Sequence, residues 1–562
     1  MDKIWLKSYE PPVPHSLQYP SRPLHANLEE SARKYPDATA TIFLNGKMSY
    51  AKLNELVDRF AAGLQQMGVK KGDRVAIYLA NCPQFVIGYY GALRAGAIVV
   101  SFNPLYAAPE VEHQLKDSGA ETILVMSRFY PIVKKVRANT PLKRVIVTNI
   151  KEYFPPVIKM LFTLAKEKHE GDRQDISGEP NTYWLQDVLN EAPAKPTPVE
   201  ITPDDTACLL YTGGTTGVPK GAELSNLNAM SNAVACRHWI TDIQEAKEVV
   251  LTAIPLYHSY GMTTCMNLSV YCAATMLLIP NPRDIPDMMK NVSKHHPTLF
   301  PGVPTMYVAF NNFPDIEKFD VTSIRACISG AAGLPVQVQK QFQELTGAKL
   351  VEGYGLSEAS PVTHANPVYG VNKIGTIGVP WPDTEAKIVD LETGKHELPV
   401  GEVGELIIHG PQVMKGYWHM PKETEITLRD GWLYTGDIAK MDEDGYFQIV
   451  DRKKDIIIAG GFNIYPRDVE EVLYKHPKVH EAVVAGIPDP YRGETVKAYV
   501  VLKQGESAEE SEIIEFCRGK IAKYKVPSAV EFRQSLPKTI VGKILRRMLV
   551  EEEKKKLEQK SS

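Results

Sequence analysis

The 562-residue chain is longer than one hydrophobic core supports, so we expect at least two domains. Its composition, 44% hydrophobic and 23% charged, is typical of a soluble globular protein, and its net charge of −3 indicates no nucleic-acid partner. Seven scattered cysteines without paired metal-ligand spacing indicate free thiols in a reducing compartment. The sequence has neither a secretion signal at its start nor a run of eighteen apolar residues, so we expect a cytoplasmic protein.

Strands and helices alternate over the first 330 residues. Apolar residues at helical spacing predict a helix over 49–67, and a second helix is predicted after Pro83. Strands are predicted at 74–79, 97–102, 121–125 and 144–148, and in a second series at 207–211, 249–254, 274–279, 298–300 and 326–328. This alternation is typical of βαβ units around largely parallel sheets.

Beyond Val371 the pattern changes to short strands separated by glycine turns, predicted at 386–389, 404–409 and 446–450. The charged run that begins at Asp451 ends this pattern, and a compact piece of mixed helices and strands follows. We therefore predict an α/β fold. Its large N-terminal domain, 1–450, contains βαβ-type parallel sheets and a β-rich subdomain, and a small α+β C-terminal domain occupies 451–562.

One apolar segment, 153–165, is followed by Lys166 and Lys168. It is too short to span a bilayer, which leaves two interpretations. It forms a peripheral contact with a membrane surface, at the inner face of the cell membrane, or it is a helix packed on its own domain. The sequence favours the packed helix.

A loop rich in glycine and threonine runs from Tyr211 to Gly221 and contains four glycines, three threonines and Lys220. Glycines permit close approach of the backbone to a polyphosphate, N–H groups and hydroxyls donate hydrogen bonds, and the lysine supplies a counter-charge. It is not a P-loop, because Lys220 lies between Pro219 and Gly221 and no Ser or Thr follows it. Alone, the loop is equally compatible with a flexible surface turn.

Five further motifs follow in order: Ser329-Gly-Ala-Ala-Gly333, Gly353-Tyr-Gly-Leu-Ser-Glu358, Tyr434-Thr-Gly-Asp437, Asp451-Arg-Lys-Lys-Asp455 and Pro537-Lys-Thr-Ile-Val-Gly-Lys-Ile544. Together with the loop they resemble the adenylate-forming superfamily of acyl-CoA synthetases, firefly-type luciferases and peptide-synthetase adenylation domains. The resemblance is strongest to bacterial long-chain fatty-acid–CoA ligases and extends from Ser49 to Arg547. One departure is Tyr434, where relatives commonly have arginine.

The resemblance implies that a carboxylic acid attacks the α-phosphate of ATP and expels pyrophosphate, with Mg²⁺ as cofactor. Because both reactants are anions, catalysis depends on charge neutralisation and alignment. The implied nucleotide contacts are Thr212, Gly213, Gly214, Thr215, Thr216, Gly217, Lys220, Gly330, Ala331, Ala332, Tyr354, Gly355, Leu356, Ser357, Asp437, Arg452 and Lys543. Among these, Asp437 and Arg452 are the implied ribose contacts. Glu358 and Thr215 are the implied magnesium contacts, which suits an ion that prefers few carboxylates plus phosphate oxygens. Lys543 is the implied catalytic cation.

The second half-reaction implied by the resemblance transfers the acyl group to CoA. In relatives the C-terminal domain rotates about a hinge, here Lys454, and this motion would bring Gly460, Gly461 and Phe462 to a pantetheine tunnel. His258 matches a position that lines the acyl and CoA side, although a buried structural histidine is an open alternative.

The substrate prediction is a long-chain fatty acid, with a medium-chain or aryl acid as the alternative enzyme substrate. A membrane-associated fatty-acid-binding or uptake protein is the alternative of another class, although the intact set Lys220, Glu358, Asp437, Arg452 and Lys543 argues against it. Some relatives form homodimers, but no heptad pattern in this sequence requires one.

Overall fold

The computed structural model describes residues 3–212, 219–459, 462–489, 492–539 and 544–561. The chain divides into two compact units, one comprising 1–385 and 408–433 and the other 386–407 and 434–562. The boundaries between the units fall within three strands, Glu385–Val389, Gly404–His409 and Trp432–Met441.

The first unit is built from alternating strands and helices. Its strands to residue 380 are β1 Thr39–Phe43, β2 Gly46–Ser49, β3 Arg74–Tyr78, β4 Ile98–Ser101, β5 Thr122–Met126, β6 Arg144–Thr148, β7 Thr182–Trp184, β8 Thr206–Thr212, β9 Lys220–Ser225, β10 Val249–Thr252, β11 Thr275–Leu278, β12 Ala326–Ser329, β13 Lys349–Gly355, β14 Val362–Ala365 and β15 Val379–Pro380. Its helices over the same range are α1 Ala26–Lys34, α2 Tyr50–Gln66, α3 Pro83–Arg94, α4 Ala108–Ser118, α5 Tyr130–Val136, α6 Pro156–Ala165, α7 Leu185–Glu191, α8 Asn226–Trp239, α9 Ser259–Gly261, α10 Leu268–Tyr271, α11 Ile285–His295, α12 Pro304–Asn311 and α13 Val336–Thr346.

The remaining elements complete the chain. The strands are β16 Glu385–Val389, β17 Gly404–His409, β18 Gly416–Tyr417, β19 Leu428–Arg429, β20 Trp432–Met441, β21 Phe447–Arg452, β22 Ile457–Ala459, β23 Phe462–Ile464, β24 Val479–Asp489, β25 Gly493–Leu502 and β26 Ala529–Phe532. The helices are α14 Pro421–Thr427, α15 Pro466–Leu473, α16 Glu510–Cys517 and α17 Arg546–Ser561.

An eight-stranded sheet in the order β18-β9-β8-β4-β3-β5-β6-β7 is the main layer of the first unit. Its strands from β8 to β7 pair in parallel, while β9 and β18 are antiparallel additions at one edge. The central strands are buried along almost their whole length, as expected for parallel strands covered on both faces. Helix α2 is an example of how the local sequence sets an element. Ser49 caps its N-terminus by accepting a hydrogen bond from the Lys52 amide, and its apolar stripe is buried.

A second sheet region of the first unit contains β10-β11-β1-β2 and β12-β13-β14-β15, linked through parallel bridges at Leu299. In the second unit, β23-β22-β25-β24 form an antiparallel sheet with β26 added in parallel to β25. Helices α15 and α16 pack on this sheet around a core that includes Val469, Val484 and Ile513. The predicted α/β fold with parallel sheets is confirmed.

All seven cysteines are buried free thiols, and burial raises the pKa of every one of them, to about 11 for Cys517 and to about 12 or higher for the others. None of the helices in the described residues combines the length and hydropathy that a membrane crossing requires.

Candidate active site

The glycine- and threonine-rich loop joins two antiparallel strands. Strands β8 and β9 pair so that Thr212 lies opposite Lys220 and Tyr211 lies opposite Gly221. A side chain at Gly221 would come within 3.2 Å of the Tyr211 ring, so the glycine permits this close pairing. The two ends of the loop are therefore fixed side by side, and Lys220 begins a strand rather than the helix of a P-loop. The predicted contacts Gly213, Gly214, Thr215, Thr216 and Gly217 lie outside the described residues.

The Lys220 side chain contacts two residues that lie some 200 positions later in the sequence, Glu423 and Tyr417. Its side chain is only 10% exposed, and its ammonium forms an ion pair with Glu423 of α14. The same ammonium lies 5.2 Å from the centre of the Tyr417 ring. Because a buried ammonium needs a counter-charge, Glu423 and the face of the Tyr417 ring compensate for the burial of Lys220.

Tyr417 also contacts the predicted magnesium ligand. Its hydroxyl donates a hydrogen bond of 2.8 Å to Oε1 of Glu358. Burial, and then the neighbouring Glu358 carboxylate, raise the pKa of Tyr417 well above its usual value, so the phenol stays a donor at neutral pH. The Met414 amide donates to the Glu358 carbonyl at 2.8 Å and fixes the backbone there. Tyr417 thus joins Glu358 to Lys220, two residues that the sequence predicted from separate motifs.

The motif that contains Glu358 begins at the end of β13. Strand β13 pairs with β14 so that Tyr354 lies opposite His364, with ring centres 5.9 Å apart in an edge-to-face arrangement. Burial lowers the pKa of His364 to about 3, so this imidazole is neutral. A side chain at Gly355 would lie 2.1 Å from the Pro361 carbonyl oxygen, which only glycine avoids. Leu356 and Ser357 follow and are half-buried.

The motif that follows β12 lies against the segment that contains His258. Gly330 approaches the Tyr260 ring so closely that a side chain would meet it at 3.2 Å. The next residue, Ala331, has a φ of +69°, a strained conformation for a residue with a Cβ. Ala331 and Ala332 are both exposed, so this strained stretch of backbone lies at the protein surface.

His258 begins a short helical segment beside these motifs. Its Nδ1 accepts a hydrogen bond of 3.2 Å from the Tyr260 amide, which assigns a lone pair to that nitrogen. The hydroxyls of Ser259 and Ser357 are 3.2 Å apart, so the residue after His258 touches the Glu358 motif. A π-helical turn, Met262–Asn267, follows, a feature often found at functional sites.

In the second unit, the two predicted ribose ligands are neighbours. Asp437 and Arg452 lie opposite each other on β20 and β21, and Arg452 Nε is 3.0 Å from Asp437 Oδ1. Asp437 is buried, whereas Arg452 is half-exposed. Lys454, the predicted hinge, is exposed in the turn that follows β21.

The remaining predicted residues are mostly in segments outside the described residues. Gly460, Gly461 and Lys543 belong to this group, but Phe462 begins β23, where it is exposed and stacks on Tyr524 with ring centres 4.5 Å apart. Lys538 and Ile544, on either side of 540–543, form an antiparallel bridge, so the two ends of the Lys543 segment lie together.

The described residues fit a magnesium ion held mainly by substrate. Within the described ranges, no three His, Cys, Asp or Glu side chains gather as a metal site. Glu358 supplies one carboxylate, held in place at Oε1 by Tyr417. One carboxylate with phosphate oxygens and water is a donor set that suits Mg²⁺.

Sequence reasoning missed Tyr417 and Glu423. They lie 59 residues after Glu358 and 203 residues after Lys220, respectively, and neither belongs to a motif that the sequence analysis recognised. The strand pairing of β18 with β9, which aligns Tyr417 with Ala222, is what brings them to the loop.

Known proteins and family models match this chain over almost its whole length. The sequence model described as AMP-binding enzyme matches residues 28–418, and the model of the AMP-binding enzyme C-terminal domain matches 468–543. The long-chain-fatty-acid–CoA ligase of Bacillus subtilis (strain 168) is 48% identical over 98% of both chains. That of Escherichia coli O6:H1 is 42% identical over the full length of both.

Solved structures give the same result for the fold. ATP-bound MatB from Rhodopseudomonas palustris superposes with a TM-score of 0.82 at 29% identity, over 95% of this chain and 99% of that one. A Mycobacterium tuberculosis fatty acyl CoA synthetase gives 0.71 at 28% identity, over 94% and 98%. The match to the family model over residues 28–418, joined to full-length relatives above 40% identity, establishes that this chain belongs to the AMP-binding enzyme family.

Proposed function

We propose that this protein is a long-chain fatty acid–CoA ligase. It activates a fatty acid with ATP to an acyl-adenylate, releasing pyrophosphate, and then transfers the acyl group to CoA with release of AMP. The observation that carries this proposal is the 48% identity to the Bacillus subtilis ligase across 98% of both chains. The substrates are therefore a fatty acid, ATP and CoA.

Phosphate binding is assigned to the loop between β8 and β9. Thr212 and Lys220 hold its two ends, and we assign Gly213–Gly217 to the β- and γ-phosphates. The Lys220 ammonium, which is held by its ion pair with Glu423, is the cation that we assign to this loop. Glu358, oriented by Tyr417, together with Thr215 would hold Mg²⁺, which when bound neutralises phosphate charge.

The nucleoside is assigned to three surfaces. We assign adenine to the aromatic face of Tyr354 and to the backbone of 330–332, of which Ala331 and Ala332 are exposed. The paired carboxylate and guanidinium of Asp437 and Arg452 offer an acceptor and a donor to the ribose hydroxyls.

We assign to Lys543 the stabilisation of the negative charge that builds during adenylation. For this role its side chain would reach the carboxylate and the α-phosphate. For thioester formation, the domain 451–562 would turn about Lys454 relative to 1–450 and bring Gly460, Gly461 and Phe462 to the CoA tunnel. His258, adjacent to Ser259 and its contact with Ser357, would line the acyl and CoA side. A cytoplasmic location is part of this proposal. Peripheral membrane contact through 153–165 is one of the two interpretations of that segment, and a homodimer is an oligomeric state that the sequence leaves open.

Product analysis tests the proposal. With Mg²⁺, ATP, CoA and palmitate, the protein should form palmitoyl-CoA, AMP and pyrophosphate in equal amounts. Lys543→Ala should lower adenylation by about 100-fold or more, because a charge that stabilises the transition state is lost, while nucleotide binding persists. The matched control is Lys554→Ala, an exposed lysine of α17. Formation of ADP, or full activity of Lys543→Ala, would contradict the proposal.

A further inference from the structure

Helix α6 is attached to the first unit through one side only. Phe162 is buried, and its ring packs edge-to-face on Phe154 with centres 5.3 Å apart. Phe154 in turn packs on Phe43 of β1 at 5.7 Å. Lys151 ties the far end of the segment, since its ammonium is 2.6 Å from Glu167 and also donates to the Thr163 hydroxyl at 3.1 Å. The helix is therefore held firmly in place.

The opposite side of α6 is a continuous apolar face. Val157, Met160, Leu161 and Leu164 occur at the spacing i, i+3, i+4 and i+7, which places them on one side of a helix. These four side chains are between 55% and 79% exposed. Single exposed apolar residues are common. A contiguous group of them on a firmly held helix indicates a surface that a membrane or another molecule covers.

The charges around this face have one sign. Lys159, Lys166 and Lys168 are exposed, and 153–166 contains no acidic residue. The two glutamates that follow are already engaged, Glu167 with Lys151 and Glu170 with Arg128 at 3.0 Å. The face therefore presents apolar side chains, and beside them lie ammonium groups for which no ion pair is seen within the described part of the chain.

We propose that this face of α6 docks on the surface of a bilayer that contains anionic lipids. An amphipathic helix of this kind lies in the interface plane, with apolar side chains among the acyl chains and lysines at the headgroup phosphates. The biological reason rests on the proposed function, because a long-chain fatty acid partitions into bilayers and the enzyme would meet its substrate there.

A second copy of the chain is a less suitable occupant. A ten-residue helix is about 15 Å long, and one of its faces is small against the roughly 800 Å² that each partner contributes to a stable interface. Three like charges beside the face would also repel the same three charges of a second copy. Neither limit applies to an anionic bilayer.

Vesicle flotation tests the docking. The full-length protein is mixed, without ATP, CoA or fatty acid, with vesicles of phosphatidylglycerol and phosphatidylcholine in equal parts, or of phosphatidylcholine alone. We expect the protein to float with the mixed vesicles, and the double variant L161Q/L164Q to partition at least tenfold less. Leu105→Gln, at a position 60% exposed elsewhere in the first unit, is the matched control and should float like the wild type.

A charge variant tests the lipid class. K166Q/K168Q should bind the mixed vesicles several-fold more weakly, as should the wild type in 0.5 M salt, which screens the headgroup charge. ATP–pyrophosphate exchange with detergent-dispersed palmitate should be equal in wild type and L161Q/L164Q, so docking and catalysis are measured separately.

Three results would overturn the proposal. They are absence of flotation by the wild type, flotation unchanged in L161Q/L164Q, and a wild-type dimer in sedimentation that L161Q/L164Q converts to a monomer. The last result would assign the face to self-association.

Discussion

At the scale of single residues, the site depends on side chains that reach it from a distant part of the chain. Tyr417 donates to Glu358 and covers the Lys220 ammonium, and Glu423 neutralises that ammonium. The carboxylate to which we assign the magnesium ion and the lysine to which we assign phosphate are thus fixed in place, which would lower the cost of ordering them when substrate binds.

Tyr417→Phe should weaken the response to magnesium. Without the hydroxyl, Glu358 loses the hydrogen bond at Oε1, and we expect the Mg²⁺ concentration for half-maximal exchange to rise three- to tenfold, roughly 1 kcal/mol. A magnesium titration of ATP–pyrophosphate exchange measures it. Tyr183→Phe, at an exposed tyrosine, is the control. An unchanged magnesium curve would show that Tyr417 does not position Glu358.

Glu423→Gln should affect both stability and ATP affinity. In this variant the Lys220 ammonium stays buried but has lost its counter-charge, so we expect the free energy of unfolding to fall by about 1–2 kcal/mol. This is less than for a fully buried ion pair, because Glu423 is partly exposed. The KM for ATP should rise more than kcat falls. Glu425→Gln, exposed on the same helix, should change neither. Equal behaviour of the two variants would contradict a role for the Glu423 pair.

At the scale of elements, strand ends place the functional segments. The pairing of β8 with β9 brings together the ends of the glycine- and threonine-rich loop, and β13 ends within the motif that contains Glu358. Glycine is required where β13 ends, because Gly355 leaves no room for a side chain against the Pro361 carbonyl.

Gly355→Ala should therefore be more damaging than Gly330→Ala. At Gly355 the new methyl would meet backbone at 2.1 Å, whereas at Gly330 it would meet a tyrosine ring at 3.2 Å. We expect Gly355→Ala to destabilise the protein by about 1–3 kcal/mol or more, and Gly330→Ala by less. Thermal melting of both variants compares them. A smaller loss of stability in Gly355→Ala than in Gly330→Ala would be inconsistent with this geometry.

Elements also show what the sequence could and could not predict. The parallel-sheet fold and the enzyme class were predictable, because strand periodicity and loop chemistry are local properties of the chain. Tyr417 was not, because a tyrosine in a two-residue strand has no local signature and acquires its role through the β18–β9 pairing. Helix α6 was only partly predictable, since composition does not reveal that Phe162 packs inward while Leu164 faces outward.

At the scale of the whole molecule, the proposed function requires both units. Glu358 and Lys220 belong to the first, and Asp437 and Arg452 belong to the second. The first half-reaction takes place at the α-phosphorus of ATP and the second at the acyl carbonyl carbon, so the two steps need different protein groups around the same acyl group. For this reason we assign a hinge to Lys454.

The most direct test of the central claim is acid-dependent ATP–pyrophosphate exchange without CoA, measured with acetate, octanoate, palmitate, oleate and coumarate. The proposed function predicts strongest exchange with palmitate or oleate, because adenylation precedes thioester formation and the relatives that resemble this chain along its full length are long-chain ligases. A maximum at octanoate or coumarate would keep the adenylation chemistry and contradict the long-chain assignment. No exchange with any acid would contradict the enzyme assignment itself and favour a fatty-acid-binding protein.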